Sequence, residues 1–119
     1  MARDAALVTS WNGTIPGREG KALEGFTDFL TYFGKLAADG KVQEAEPFFS
    51  TDGSTGFAIV RGKSDVLQEA TETEEFEKLL TKAQLTVKDL RSQVYYTGDE
   101  EVQRAIRLYA ESAHELGYL

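Results

Sequence analysis

The chain has 119 residues, with thirteen basic against twenty acidic side chains and a net charge of −7. An isoelectric point near 4.7 argues against a nucleic-acid phosphate backbone as partner. The absence of cysteine excludes disulfides, thiolate nucleophiles, iron–sulfur clusters and cysteine-ligated zinc, and one histidine cannot build a polyhistidine metal site.

The length suits one domain over 1–119, and a hydrophobic share of 41% with only two prolines suits a folded chain rather than a disordered one. No apolar run approaches the ~18 residues of a membrane span. No basic-then-apolar leader is read at the start, so the expected location is cytoplasmic.

The run Ala5-Ala6-Leu7-Val8-Thr9-Ser10-Trp11 reads as a strand stopped by Asn12-Gly13. Its near-continuous apolarity suits a central strand. After the loop Thr14 to Gly20, Leu23, Phe26, Leu30, Phe33 and Ala37 make one helical stripe, widened by Phe29 and Leu36. Gly40 is placed to end that helix in a left-handed conformation.

Lys41 to Ser50 reads as a second strand, and Pro47, lacking an N–H, puts it at an edge or a bulge. Asp52-Gly53 turns the chain into a third strand, Gly56 to Arg61, closing a hairpin. Ser64-Asp65 caps a short helical stretch through Ala70. Thr73 then caps a helix bearing Phe76, Leu79, Leu80 and Ala83 on one side. Asp89 to Tyr96 is rich in strand formers. Asp99-Glu100-Glu101 opens a last helix whose apolar positions, Val102, Ile106, Tyr109, Ala113 and Leu116, are spaced 4, 3, 4, 3.

The order β-α-β-β-α-β predicts an α+β, ferredoxin-like fold: a four-stranded antiparallel sheet with helices on one face, plus a C-terminal helix. The core spans 4–97 and the appended helix 99–117. Alternate residues of the first strand, Leu7-Thr9-Trp11 and Ala6-Val8-Ser10, leave neither side plainly hydrophilic. The same holds for Phe57-Ile59-Arg61 and Ala58-Val60. Helices cover one face only, so the other needs a partner.

This order, the long aromatic helix Gly20 to Asp39 and the helix Glu74-Glu75-Phe76-Glu77-Lys78-Leu79-Leu80 resemble the dimeric α/β-barrel superfamily over about residues 4–97. The passage Leu7 to Pro16, with Trp-Asn-Gly-Thr, resembles bacterial members of it. The resemblance implies a homodimer joined through sheet faces, and a pocket between sheet and helices for a small hydrophobic molecule. Members include cofactor-independent monooxygenases and lactone isomerases, so an enzyme acting on an aromatic or lactone substrate is the alternative. Trp11, Asn12, Phe33, Arg61 and Tyr95 are the candidate ligand-binding residues. In the enzymatic alternative Arg61 or Asn12 would stabilise an enolate and Tyr95 would donate a proton.

No cofactor and no metal are expected. Haem-binding members carry their histidine within the barrel domain, whereas His114 stands in the tail helix, where it favours the helix dipole. Gly13 to Lys21 fails the phosphate-loop pattern at Ile15 and Ala22. Asn12-Gly13-Thr14, the glycosylation triplet, reads as a turn. The many acids read as solvated faces and helix first turns.

Overall fold

The computed structural model describes residues 2–119. Its elements run β1 (Asp4–Trp11), α1 (Glu19–Ala38), β2 (Glu46–Phe49), β3 (Gly56–Lys63), α2 (Ser64–Thr71), α3 (Glu74–Gln84), β4 (Arg91–Tyr96) and α4 (Asp99–Glu115). The four strands form one antiparallel sheet in the order β2-β3-β1-β4. This is the ferredoxin-like arrangement, with β1 central as its apolar run predicts and Pro47 on an edge strand.

Register decides which side chains share a face. Leu7 stands opposite Val60 and Val94, and Thr9 opposite Ala58 and Ser92. This face is turned to the helices, and Leu7, Ala58, Val60 and Val94 form the core with Ala5, Phe29, Phe33, Leu67 and Phe76. Burying a side chain such as Phe33, which is fully enclosed, stabilises the fold by roughly 1.5–3 kcal/mol. Tyr32 adds a polar tie within that core. Its hydroxyl donates to the Ala70 carbonyl at 2.7 Å and lies 2.7 Å from the Thr73 hydroxyl. Thr73 in turn accepts from the Phe76 amide, the cap read from the sequence.

Several boundaries differ from the sequence reading. The second strand pairs over Glu46–Phe49 only; upstream, Val42 makes an isolated bridge to Gly62. α2 is a full helix, and Ser64 does not cap it. Lys63 is the N-cap, without a side-chain bond, and the Ser64 hydroxyl accepts from the Arg3 amide instead. Gly40 does end α1 with φ +73°. The Lys41 amide reaches back to the Leu36 carbonyl and the Gly40 amide to Ala37, the Schellman pattern.

α4 packs along no other element to any extent. Its root is nonetheless fixed. Arg3 lies 3.5 Å over the Tyr96 ring and donates two bonds to the Glu101 carboxylate. The arm stretches the molecule to 53 × 33 × 26 Å with a radius of gyration of 16.9 Å, against about 13.5 Å for a compact chain this long. No helix of the described residues is long and apolar enough to cross a membrane.

Candidate functional site

Between the sheet and the helices lies a cavity of about 260 Å³, open on one side. The N-terminal half of α1 gives one wall through Ala22, Gly25, Phe26 and Phe29. The C-terminal half of α3 gives the other through Leu79, Leu80 and Ala83. Small residues at 22, 25 and 83 leave the volume that larger side chains would fill. The floor is Thr9 and Trp11 of β1, with Phe49 at the end of β2.

The walls are held apart by bonds at one end. Segment 12–15 zips onto 86–88: Asn12 N to Lys88 O, Lys88 N to Gly13 O, and Ile15 N to Thr86 O, each 2.9 Å. Arg18 ties the start of α1 to the Leu85 carbonyl. That leaves Arg18 engaged, and Lys21 pairs with Glu24 at 3.1 Å, so neither is a free cation for an anion at this helix start.

Trp11, the only tryptophan, is caged by aromatic edges. Its ring centroid lies 5.7 Å from Phe26 and 6.4 Å from Phe49, and those two rings are 5.8 Å apart. Its seat depends on Gly56, the residue opposite it in β3. A Cβ at Gly56 would fall 2.6 Å from the indole, closer than packing allows, so the missing side chain is what lets the indole rest against β3.

The lining is nearly uncharged. Glu19, at the mouth, is the one ionisable residue in it, and its carboxylate accepts from the Gly17 amide at 3.2 Å. The floor hydroxyl of Thr9 is paired with that of Ser92 at 2.8 Å. Among the described residues no buried side-chain polar atom lacks a partner, and no group of three or more potential metal-binding side chains comes together. Recognition here would rest on shape and apolar contact.

Of the five residues singled out from the sequence, only Trp11 lines this cavity. Asn12 sits at the adjoining turn, where its amide donates to Asp89 at 3.2 Å; Asp89 itself is held at φ +52°. Phe33 is enclosed in the core among Phe29, Tyr32 and Phe76. Arg61 and Tyr95 both flank Ala6, on the opposite sheet face, and Arg61 pairs with Glu46 at 2.8 Å. The five therefore do not form one site. Register is the reason: Leu7 opposite Val60 places Trp11 with Ala58 and Val60, and Arg61 on the far side. The cavity residues missed, Ala22, Gly25 and Phe26, had a signal in small residues set on an aromatic helix stripe.

The far face carries Phe48 stacked on Phe57 at 4.8 Å, with Val8 and Ile59 half-buried between strands and Tyr95 exposed. It is a mixed but largely apolar surface without cover in this chain.

No family profile and no curated protein sequence matches the chain. Solved structures do match in fold. Rv0793 from Mycobacterium tuberculosis superposes with a TM-score of 0.65 at 13% identity, over 81% of this chain and 96% of that one. SnoaB from Streptomyces nogalater, a cofactor-independent oxygenase, gives 0.64 at 12%, over 82% and 96%. PA3566 from Pseudomonas aeruginosa gives 0.59 at 14%, over 82% and 97%. These neighbours belong to the dimeric α/β-barrel superfamily, and this chain has their fold. The share of the chain left unmatched is about the size of α4 and its tail.

Proposed function

We propose that the protein is a homodimer, joined through the open sheet faces, that binds a small uncharged apolar molecule between the sheet and the helices. The observation that carries this reading is the caged Trp11 in a cavity whose lining holds one ionisable group. An apolar cavity of ~150 Å³ holds benzene, so the volume here suits a molecule of one or two fused rings. Uncovered apolar surface on the sheet supports the dimer, as does the shared fold.

Trp11 is its own reporter. Titration with 2-naphthol, a neutral bicyclic probe, should change tryptophan emission saturably, and Ala83→Phe, which fills the cavity, should abolish the change. Native mass spectrometry of the protein as purified should give a dimer near 26.4 kDa, twice 13.2 kDa, carrying any retained ligand. An unmoved emission together with no added mass overturns the ligand reading; a monomer at all concentrations overturns the dimer.

A second reading, favoured by the fold shared with SnoaB, makes the bound molecule a substrate of a cofactor-independent oxygenase or isomerase. Arg61 and Tyr95 stand outside the cavity, so proton handling would fall to Glu19 or to the substrate's own ionisation. Oxygen uptake with electron-rich bicyclic phenols tests it: Glu19→Gln should slow turnover if Glu19 carries the proton. No uptake above the protein-free rate with any bound phenol removes the oxygenase, and an unchanged substrate spectrum after incubation removes the isomerase.

A further inference from the structure

We propose that α4 is a dimerisation arm whose partner is α4 of a second copy, packed antiparallel. This does not rest on the ligand reading. Val102, Ile106, Tyr109, Ala113 and Leu116 keep a 4-3-4-3 spacing through the whole helix. That is the period of a helix–helix seam, narrower than the broad stripe with which α1 covers a sheet. Among the described residues its large side chains are unused: Val102 is 49% exposed, Ile106 56%, Tyr109 77% and Leu116 69%, while the small Ala113 is buried where the tail turns back.

The flanks agree with a helix as occupant. Gln103, Ala105, Ala110 and Ser112 border the seam, uncharged and mostly small, and permit close approach. The charged Glu100, Glu101, Arg104, Arg107, Glu111 and Glu115 fall on the other positions, and Asp99, three residues before Val102, ends the apolar seam with a charge at the start of the helix. Arg107 and Glu111 pair with each other along the helix at 3.4 Å, leaving the seam side free of ion pairs.

Orientation follows from charge and volume. A parallel pair would crowd two copies of Asp99, Glu100 and Glu101 together and set Ala113 against Ala113. An antiparallel pair separates the acids, opposes the helix dipoles and balances each layer: Val102 against Leu116, Ile106 against Ser112 beside the small Ala113, Tyr109 against Tyr109 on the two-fold axis. The arm is presented in a fixed direction because Arg3, Glu101 and Tyr96 hold its root.

The chain has no cysteine, so single introduced cysteines report contacts cleanly. On mild oxidation of the full-length protein, Tyr109→Cys should give a disulfide-linked dimer, and Arg104→Cys, on the outer side, should not. Val102→Cys alone should stay unlinked but cross-link when mixed with Leu116→Cys. Ile106→Glu should weaken self-association by on the order of tenfold or more, the scale of losing one packed interface anchor, with its helical circular dichroism unchanged. Three results overturn the proposal. One is a dimer insensitive to Ile106→Glu and unlinked by Tyr109→Cys, which places the contact elsewhere. Another is a dimer sensitive to Ile106→Glu yet unlinked by Tyr109→Cys, which lays α4 on the partner's body. The third is Val102→Cys linking to itself, which makes the pair parallel.

Discussion

α1 and α4 are the two long helices of this protein, of 20 and 17 residues, and they are built alike. Each carries a regular apolar stripe, and each ends in a Schellman turn, at Gly40 and at Gly117, where the Tyr118 amide reaches the Ala113 carbonyl. Yet α1 buries Phe29, Tyr32 and Phe33 in its own chain, while α4 leaves all its large apolar residues exposed. Amphipathic spacing shows that a helix has a face to bury. It does not say whose surface buries it.

The contrast can be broken most sharply at α1. Phe33→Ala should cost about 3–5 kcal/mol by chemical denaturation, the range for emptying a filled aromatic site. Ile106→Ala, at protein concentrations below dimer formation, should stay within ~0.5 kcal/mol, as for any exposed position. Equal losses would mean that α4 is packed into its own chain after all.

Gly56→Ala comes next. Trp11 must move off β3 to admit the methyl, and over-packing of this kind costs roughly 1–3 kcal/mol. Its emission should shift and the naphthol response should weaken, which ties the cavity to the sheet beneath it. Tyr32→Phe should cost about 1–2 kcal/mol, because the hydroxyl bonding α1 to the α2–α3 junction is lost in the core.

The smallest effect concerns the root of α4 and sharpens the comparison by pH. The Arg3 guanidinium, hydrogen-bonded to Glu101, holds that carboxyl below its ordinary range. A carboxyl with a lowered folded pKa stabilises the fold above the ordinary carboxylate range, and that stabilisation is lost as pH falls through the folded value. Hydrogen exchange in the first turns of α4 should therefore gain protection less steeply with pH in Glu101→Gln than in the parent, while α1 is unaffected. The hairpin turn offers a parallel case. The Ser54 amide, then the Ser54 and Ser50 hydroxyls, hold the Asp52 pKa at about 2, so Asp52→Asn should remove a stabilisation that the parent has in full above the ordinary aspartate range and loses as pH falls towards about 2.

Much of the fold was legible in the sequence because it rests on local chemistry. Gly40 ends a helix by its backbone freedom, Thr73 caps by its hydroxyl, Asp52-Gly53 turns a hairpin, and Pro47 belongs on an edge. The site was less legible because it depends on parity between strands. One residue of register decides whether Arg61 stands over the cavity or behind it, and pairing through the Leu7–Val60 register put it behind. Phe33 stands in the core and not at the cavity for a related reason: one stripe on α1 serves the core with one half and the cavity with the other, and spacing does not mark the division. The fate of α4's seam lies in no single chain's contacts.

Pro47 carries one more consequence. The outer strand β2 is only four residues long, and one of them offers no amide hydrogen. Such an edge is a poor template for another strand. At the β2 edge, molecules of this protein at high concentration therefore have little backbone to pair with. A contact about a two-fold axis uses up both copies of its surface at once, so a sheet-face contact and an α4 contact that share one axis close a dimer, whereas two different axes would let it grow.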